Sequence, residues 1–290
     1  PWHERWGGEV ASTTATYPNG ETRTATRNSG ITVKDGNGPE THTGLLYPAA
    51  PPEYKSGESE PSFIVYPEGN RLDYEYDSRR NLTLVKLTPK PGSGLAAIES
   101  SAAYPVTCDN IRTCNQPTYV LDAKGNRTDF EYSPVHGGVT VETLPAGANG
   151  VRPQKRYTYA QFSARVKDAS GLLVNDTPVW KLASVSACST LSSCTSTTDE
   201  VITEYGYDDN LLIQTVTVRL GTGTMQTSTT TTYDSSGNPV TIDGPKPGTA
   251  DTTRNFYDAN RNLVSTIRPD PDGAGSNPNL ATRTTYNAEG

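Results

Sequence analysis

Four cysteines are the residues of this 290-residue chain whose type and spacing most clearly allow chemistry. They form two pairs with five residues between the members of each pair, namely Cys108 with Cys114 and Cys188 with Cys194. Four cysteines allow three connectivities, and the matched spacing favours a local disulfide within each pair. Even pairing predicts an oxidising compartment, such as the periplasm, a cell surface or the exterior of the cell. The alternative is a zinc site, which normally has closer Cys-x-x-Cys spacing and often includes histidine.

The remaining polar residues form no recognised catalytic pattern. The chain has no Gly-x-Ser-x-Gly elbow, His-Glu-x-x-His, Walker loop or Gly-x-Gly-x-x-Gly fingerprint. Acidic pairs at 208–209 and at 270 and 272 could bind calcium or act in acid–base chemistry, but turn capping is the favoured interpretation. Trp180 is expected to pack on a sheet. Three histidines stand apart from other residues at ligand spacing, namely His3, His42 and His136. We therefore expect no enzyme, no cofactor and no metal.

The composition limits the partners and the kind of core that the chain can have. The formal net charge is -7 and the sequence pI is near 5.1, so phosphates are not attracted and nucleic acid is not expected as a partner. No run of about 18 apolar residues could span a bilayer as a helix. Only 33% of residues are apolar, and 16 tyrosines stand against 4 phenylalanines. This balance predicts sheet with water or a partner on both faces.

A short pattern of tyrosine, aspartate and turn residues recurs along the chain, which points to a repeat architecture. The clearest copies occupy residues 76–82, 207–211, 233–238, 257–263 and 286–290, and looser copies occupy 17–20, 66–71 and 121–127. The repeat-turn residues that we single out are Tyr76, Asp77, Tyr207, Asp208, Tyr233, Asp234, Gly237, Tyr257, Asp258 and Tyr286.

Each copy predicts one β-hairpin. The residues before the tyrosine alternate and are rich in β-branched and aromatic types, as in 201–207 and 227–233. The aspartate can accept hydrogen bonds from backbone N–H groups further along the turn, and a following Gly or Asn tolerates positive φ. A second strand follows, and clusters such as Pro245-Lys246-Pro247-Gly248 close the hairpin. Since neighbours in sequence usually pair in space, we expect an all-β fold of successive antiparallel β-hairpins forming a curved or spiralling sheet.

The Tyr-Asp-x-x-Gly-Asn pattern, with its following strand and Pro-Asp-Gly turn, resembles the YD repeat of the Rhs family. This family is known in bacterial polymorphic toxins, in the C component of insecticidal toxin complexes and in animal teneurins. The resemblance covers residues 60 to 290 and is strongest from Tyr207 onward. Two departures stand out, because the turn after Tyr207 is one residue short and lacks Gly, and Asn287 replaces the aspartate of the last copy.

The resemblance implies a structural role in a larger protein. In the family, strips of hairpins spiral into a hollow shell that encloses a toxic C-terminal polypeptide. The expected partners are the remainder of the parent chain and an enclosed toxin, and the expected location is extracellular or at a bacterial cell surface. The family's autoproteolytic site has an Asp-Pro-x-Gly core similar to residues 270–273, but a turn is favoured there because every repeat has a turn at that place.

The domain boundaries follow from the repeats. Residues 1–58 are expected to be an N-terminal connecting segment or degenerate repeats, and residues 59–290 a repeat sheet truncated within a repeat at its C-terminus. Two other functions remain open. An extracellular adhesion or carbohydrate-binding surface would place tyrosine rings together on one solvent face. A strand-edge assembly module would join sheet edges into a filament.

Overall fold

A computed structural model describes the backbone of residues 12–16, 22–28, 30–35 and 40–45, and then residues 61–66, 68–270 and 279–287. Every regular element in these ranges is a β-strand, so the prediction of an all-β chain is confirmed. Within the same ranges, no helix is long and apolar enough to cross a membrane.

The chain divides into two compact units, Pro1–Asp129 and Phe130–Gly290, which are described separately. The strands of the first unit are β1 (Ser12–Thr16), β2 (Thr22–Asn28), β3 (Gly30–Asp35), β4 (Glu40–Leu45), β5 (Pro61–Val65), β6 (Arg71–Tyr76), β7 (Leu82–Thr88), β8 (Ile98–Ala103), β9 (Tyr119–Leu121) and the first half of β10 (Arg127–Tyr132). Each strand pairs antiparallel with the next one in sequence.

The second unit continues the same order of pairing. Its strands are the remainder of β10, then β11 (Val139–Thr143), β12 (Gln154–Phe162), β13 (Arg165–Lys167), β14 (Leu173–Asn175), β15 (Val179–Cys188), β16 (Glu200–Tyr207), β17 (Ile213–Leu220), β18 (Gln226–Tyr233), β19 (Pro239–Asp243), β20 (Thr253–Tyr257), β21 (Leu263–Ile267) and β22 (Ala281–Arg283). Antiparallel pairing runs from β11 to β12, from β12 to β15 and then through successive strands to β22. Strands β13 and β14 form a separate hairpin between β12 and β15. The prediction of successive antiparallel hairpins is confirmed.

The sheets have very little fully buried apolar surface. Among the side chains that the structure describes, the buried hydrophobic ones are Cys114, Cys188 and Cys194. The other apolar side chains are half-buried or exposed, because tyrosine and threonine cover much of the pleated surface. Pairing between neighbouring strands and contacts between their turns must therefore stabilise much of the fold.

Several sequence predictions fall outside the described residues. These are the turn at 17–20, residues 271–273 of the Asp-Pro-x-Gly segment, the chain beyond Asn287, and the side chains of His3 and His42. Residues 1–58 contain β1 to β4, and β4 pairs with β5. Their assignment as a connecting segment or degenerate repeats stays a prediction.

Candidate structural site: repeat turns and disulfide loops

The turn after Tyr233 shows how one aspartate organises a repeat. Asp234 Oδ1 accepts hydrogen bonds from the backbone N–H groups of Ser236 at 2.8 Å and Asn238 at 2.9 Å. Its Oδ2 accepts a third from the Asn238 side-chain amide at 3.0 Å. Gly237 adopts a φ of 81°, a left-handed conformation that glycine adopts without steric cost. The backbone N–H groups in the turn cannot pair with a neighbouring strand. One carboxylate therefore accepts their hydrogen bonds.

The same arrangement recurs at the other repeat turns. In each turn the aspartate Oδ1 accepts N–H groups two and four positions further on, and the residue three positions further on has positive φ. The turns with this geometry follow Asp77, Asp122, Asp168, Asp208 and Asp258. The looser copy at 121–127 thus has the same turn geometry as the clear ones.

The turn after Tyr207 corrects one sequence interpretation. Asp208 N–H donates to the Leu212 carbonyl and Leu211 N–H donates to the Asp208 carbonyl, each at 2.9 Å, so this turn has the same length as the others. It lacks glycine, as the sequence shows, and Leu211 takes the left-handed position with a φ of 61°. Because left-handed conformations cost a non-glycine residue about 1–2 kcal/mol, the hydrogen bonds to Asp208 must maintain this conformation.

Two further turns were missed by the sequence pattern. Asp168 follows Lys167 instead of a tyrosine, and its Asp-x-x-Gly spacing was the available signal. Ser133 follows Tyr132, and its Oγ accepts from the N–H groups of Val135 at 3.3 Å and His136 at 3.4 Å. Serine is a weaker equivalent of aspartate in such turns, so the motif was harder to recognise there.

The repeat tyrosines connect each hairpin to the preceding one. The Tyr233 hydroxyl donates to the Ile213 carbonyl at 2.7 Å, and the Tyr257 hydroxyl donates to the Pro239 carbonyl at 3.1 Å. Both acceptors are the first residues of strands that follow a repeat turn. Similar bonds run from Tyr286 to Leu263, from Tyr207 to Leu182 and from Tyr104 to Leu82. We call the bonds of Tyr207, Tyr233, Tyr257 and Tyr286 the hydroxyl ladder.

A break in strand register accompanies these tyrosines. The pairing shifts between Thr232 and Tyr233, and equivalent shifts directly precede Tyr76, Tyr207 and Tyr257. Such irregularities redirect a side chain. A tyrosine hydroxyl is protonated at neutral pH and can donate, and burial raises the pKa of Tyr233 further. Tyrosine is therefore used here as a link between hairpins.

We expect Tyr233→Phe to lower the free energy of unfolding by about 1 kcal/mol, because it removes one hydrogen bond and leaves the ring in place. Urea denaturation of the 290-residue chain would measure the change. Tyr205→Phe is the matched control, since the Tyr205 hydroxyl makes no hydrogen bond with the part of the chain that the structure describes. Equal stability losses in the two variants would contradict a linking role for Tyr233.

The capping carboxylates also predict sensitivity to acid. Hydrogen bonds to the carboxylate lower the pKa of Asp234 below 3.8, first from the Asn238 side chain and then from its backbone. Hydrogen bonds also lower the pKa values of Asp122, Asp168 and Asp258, and the largest cause is the side chain of Asn126, the side chain of Ser170 and the backbone of Asn262, respectively. A lowered folded-state pKa contributes stability that is present above the unfolded pKa and is lost as pH falls through the folded one. The urea midpoint should be measured from pH 6 down to pH 2.5. We expect the midpoint to decrease once the pH is lowered below about 4. Asp234→Asn should reduce that fall, and an unchanged pH profile would show that the cap is not coupled to folding.

The first disulfide closes a loop that a neighbouring turn contacts. Cys108 and Cys114 are bonded, with their Cα atoms 4.8 Å apart, in the connection between β8 and β9. Arg79, from the Asp77 turn, donates to the carbonyls of Val106 at 3.0 Å and Cys114 at 3.3 Å, and also to that of Pro105. This guanidinium joins the loop to the preceding repeat turn.

A carboxylate accepts hydrogen bonds from the second disulfide loop. Cys188 and Cys194 are bonded in the connection between β15 and β16, with Cα atoms 5.6 Å apart. The Asp199 carboxylate accepts from the backbone N–H groups of residues 189, 190 and 191. Cys188, Cys194 and Asp199 have potential ligand atoms within 4.8 Å of one another. Disulfide sulfurs are not the thiolates that zinc requires, so the structure favours the disulfide interpretation over the zinc alternative.

These features define a protein of tandem antiparallel hairpins joined by aspartate-capped turns. No family model and no curated protein matches the chain. A crystal structure of TcdB2-TccC3-TEV matches it with a TM-score of 0.53 and 13% sequence identity, over 89% of this chain and 13% of that one. Two further matches have lower TM-scores. TcdB2-TccC3 has a TM-score of 0.34 and 12% identity, over 98% of this chain and 18% of that one. A Photorhabdus luminescens Tc holotoxin pore with mutated TccC3 has a TM-score of 0.32, with the same identity and coverages. The first match shows a shared fold. This chain spans less than a fifth of each of these three chains.

Proposed function

We propose that this chain is a wall segment of a secreted or surface-exposed bacterial shell that encloses a toxin polypeptide. The observation that carries the proposal is the hydroxyl ladder, which joins consecutive hairpins through side chains and backbone. A ladder of this kind lets a sheet grow hairpin by hairpin without a central core. The low apolar burial of the described side chains supports the same role.

The polarity of the sheet suits the enclosure of a polypeptide. Strand β18 has the sequence QTSTTTTY, and Thr217 and Ser228 hydroxyls on β17 and β18 are 3.0 Å apart. Surfaces of hydroxyl groups offer hydrogen bonds to water and expose little apolar area, so a cargo would not adhere to them strongly. The fold shared with a segment of TcdB2-TccC3-TEV adds support.

The environment of the tyrosines favours this function over an adhesive or carbohydrate-binding tyrosine surface. Tyr207, Tyr233 and Tyr257 are half-buried, and their hydroxyls are bonded to neighbouring strands. Rings placed between hairpins are not available to stack on an external ligand.

Electron cryomicroscopy of the natural protein that contains this chain, combined with limited proteolysis, tests the proposal. Microscopy is expected to show residues 61–270 as part of a wall around a lumen. Proteolysis is expected to cleave a cargo segment only after the wall has been unfolded. A wall without a lumen, or a natural protein in which every segment is cleaved equally fast, would contradict enclosure. A sheet edge paired with another copy in filaments would instead indicate an assembly module.

A further inference from the structure

An aromatic cluster on β12 and β15 is not used by the hydroxyl ladder. Its members are Trp180 on β15, Tyr159 on β12 and His136 from the Ser133 turn. The His136 ring centroid lies 4.4 Å from that of Tyr159 and 5.0 Å from that of Trp180. Trp180 retains 42% of its accessible surface, although an indole usually packs on a sheet or reaches a partner.

Trp180 lies on one face of the sheet, and the contacts that join β15 to the following repeat lie on the other face. Its neighbour Lys181 has its Nζ 4.7 Å from the centre of the Tyr207 ring and donates to the Leu211 carbonyl at 3.1 Å. Because successive side chains on a strand alternate between faces, Trp180 points away from Tyr207. The contacts of Lys181 with the following repeat therefore do not cover Trp180, which remains 42% exposed.

The cluster is held in a fixed orientation before any ligand arrives. The backbone N–H of Gly138 donates to His136 Nδ1 at 3.1 Å. A Cβ atom at position 138 would lie 2.7 Å from Tyr159 Cζ, so only glycine lets this backbone approach the ring so closely. A ring that is already fixed loses little conformational entropy on binding.

The polar groups beside the exposed indole are an amide and an imidazole, and they have hydrogen-bonding capacity to spare. Gln161 is directly opposite Trp180 in the pairing of β12 with β15, so both side chains project from the same face. Because His136 Nδ1 accepts the hydrogen bond from Gly138, Nε2 is the ring nitrogen left for a ligand. Within the described ranges, the Gln161 amide, the Trp180 N–H and the Tyr159 hydroxyl have no hydrogen-bond partner.

We propose that Trp180, Gln161 and His136 form a binding subsite for one pyranose unit of a neutral glycan. An all-equatorial pyranose has an apolar C–H face that can lie on the indole, and hydroxyl groups at its rim that can pair with the amide and the imidazole. A fixed aromatic face surrounded by a few convergent neutral polar groups matches that pattern. None of the three residues is lysine or arginine, the side chains that usually bind phosphate or sulfate, which argues against an anionic ligand. This inference does not rest on the proposed shell function.

The test is a titration of the purified 290-residue chain with cellohexaose and with chitohexaose, followed by calorimetry and saturation-transfer NMR. We expect a Kd of about 1 mM for at least one of the two sugars, as for a shallow subsite. Trp180→Ala should weaken binding about tenfold or more, and Gln161→Ala about threefold. Leu172→Ala is the matched control, because Leu172 is also apolar and exposed, at 66%, on the neighbouring β13–β14 hairpin, and it should leave Kd unchanged.

A second variant keeps the test informative if Trp180→Ala folds poorly. Trp180→Phe retains a ring of smaller area, so it should bind more weakly than the unaltered chain and more tightly than the alanine variant. The proposal would be overturned if neither sugar binds at a concentration tenfold above the expected Kd. It would also be overturned if Trp180→Ala binds the sugar as tightly as the unaltered chain. Sedimentation velocity showing self-association that Trp180→Ala abolishes, without sugar binding, would assign the patch to a protein interface instead.

Discussion

Glu200→Ala is expected to lower the free energy of unfolding by about 3 kcal/mol, the largest loss that we expect from a single substitution. Glu200 begins β16 and is only 4% exposed. Its carboxylate accepts from the Ser196 N–H at 2.7 Å and from the Ser186 hydroxyl at 2.5 Å. Alanine would leave both donors without their acceptor at a site from which water is largely excluded, and hydrogen bonds to charged acceptors are the stronger ones.

Glu204→Ala is the matched control for that measurement. Glu204 lies on the same strand, is 45% exposed and pairs with Arg219 at 2.9 Å. Because exposed ion pairs contribute about 0–1 kcal/mol, its removal should change the urea midpoint only slightly. Comparable losses for the two glutamates would show that burial of Glu200 is not the source of its effect.

The same site explains why Gly221 follows β17. An added Cβ at Gly221 would lie 2.7 Å from Glu200 Cβ and 2.8 Å from the Thr197 carbonyl oxygen. The Gly221 N–H also donates to the Glu200 carbonyl at 2.8 Å. The buried carboxylate and the glycine that covers it thus connect the second disulfide loop to the next hairpin.

Removal of the Cys188–Cys194 disulfide is the second large effect that we expect. The double variant Cys188→Ala/Cys194→Ala should lose about 2 kcal/mol of unfolding free energy, because a short crosslinked loop restricts the unfolded chain. The matched variant Cys108→Ala/Cys114→Ala should lose a similar amount, since the two loops have the same sequence separation of 6. Thermal and urea denaturation of both variants would measure these losses.

The two disulfides should differ in how fast a reductant opens them. Cys188 and Cys194 are 4% and 1% exposed, whereas Cys108 is exposed although its partner is not. A thiolate must reach a sulfur atom to start exchange. Dithiothreitol under native conditions, followed by alkylation and peptide mass spectrometry, should therefore modify Cys108 and Cys114 first. Simultaneous modification of all four cysteines would indicate global unfolding instead of local access.

The differences between these sites reflect a sheet with little apolar core. With few buried aliphatic side chains, stability depends strongly on loops and turns that join neighbouring hairpins. Arg261 illustrates this dependence, because its guanidinium donates to the Ser236 carbonyl in the preceding repeat turn. Arg79 makes the corresponding contacts with the first disulfide loop.

The sequence by itself determined the features that depend on neighbouring residues. The turn at Asp234 was predictable because its donors lie within four positions of the aspartate, and side-chain preferences act over that range. Strand alternation and the succession of hairpins were predictable for the same reason. The matched spacing of the cysteines favoured the pairs that the structure contains.

Only the tertiary structure decided the features that join separate hairpins. The Tyr233 hydroxyl reaches a carbonyl 20 positions away, and no local pattern specifies that acceptor. Leu211 in a left-handed conformation, the burial of Glu200 and the contact of His136 with Trp180 likewise depend on strands brought together by pairing. Sequence patterns report local conformational preference, whereas burial and long-range hydrogen bonding arise only once the register between strands is fixed.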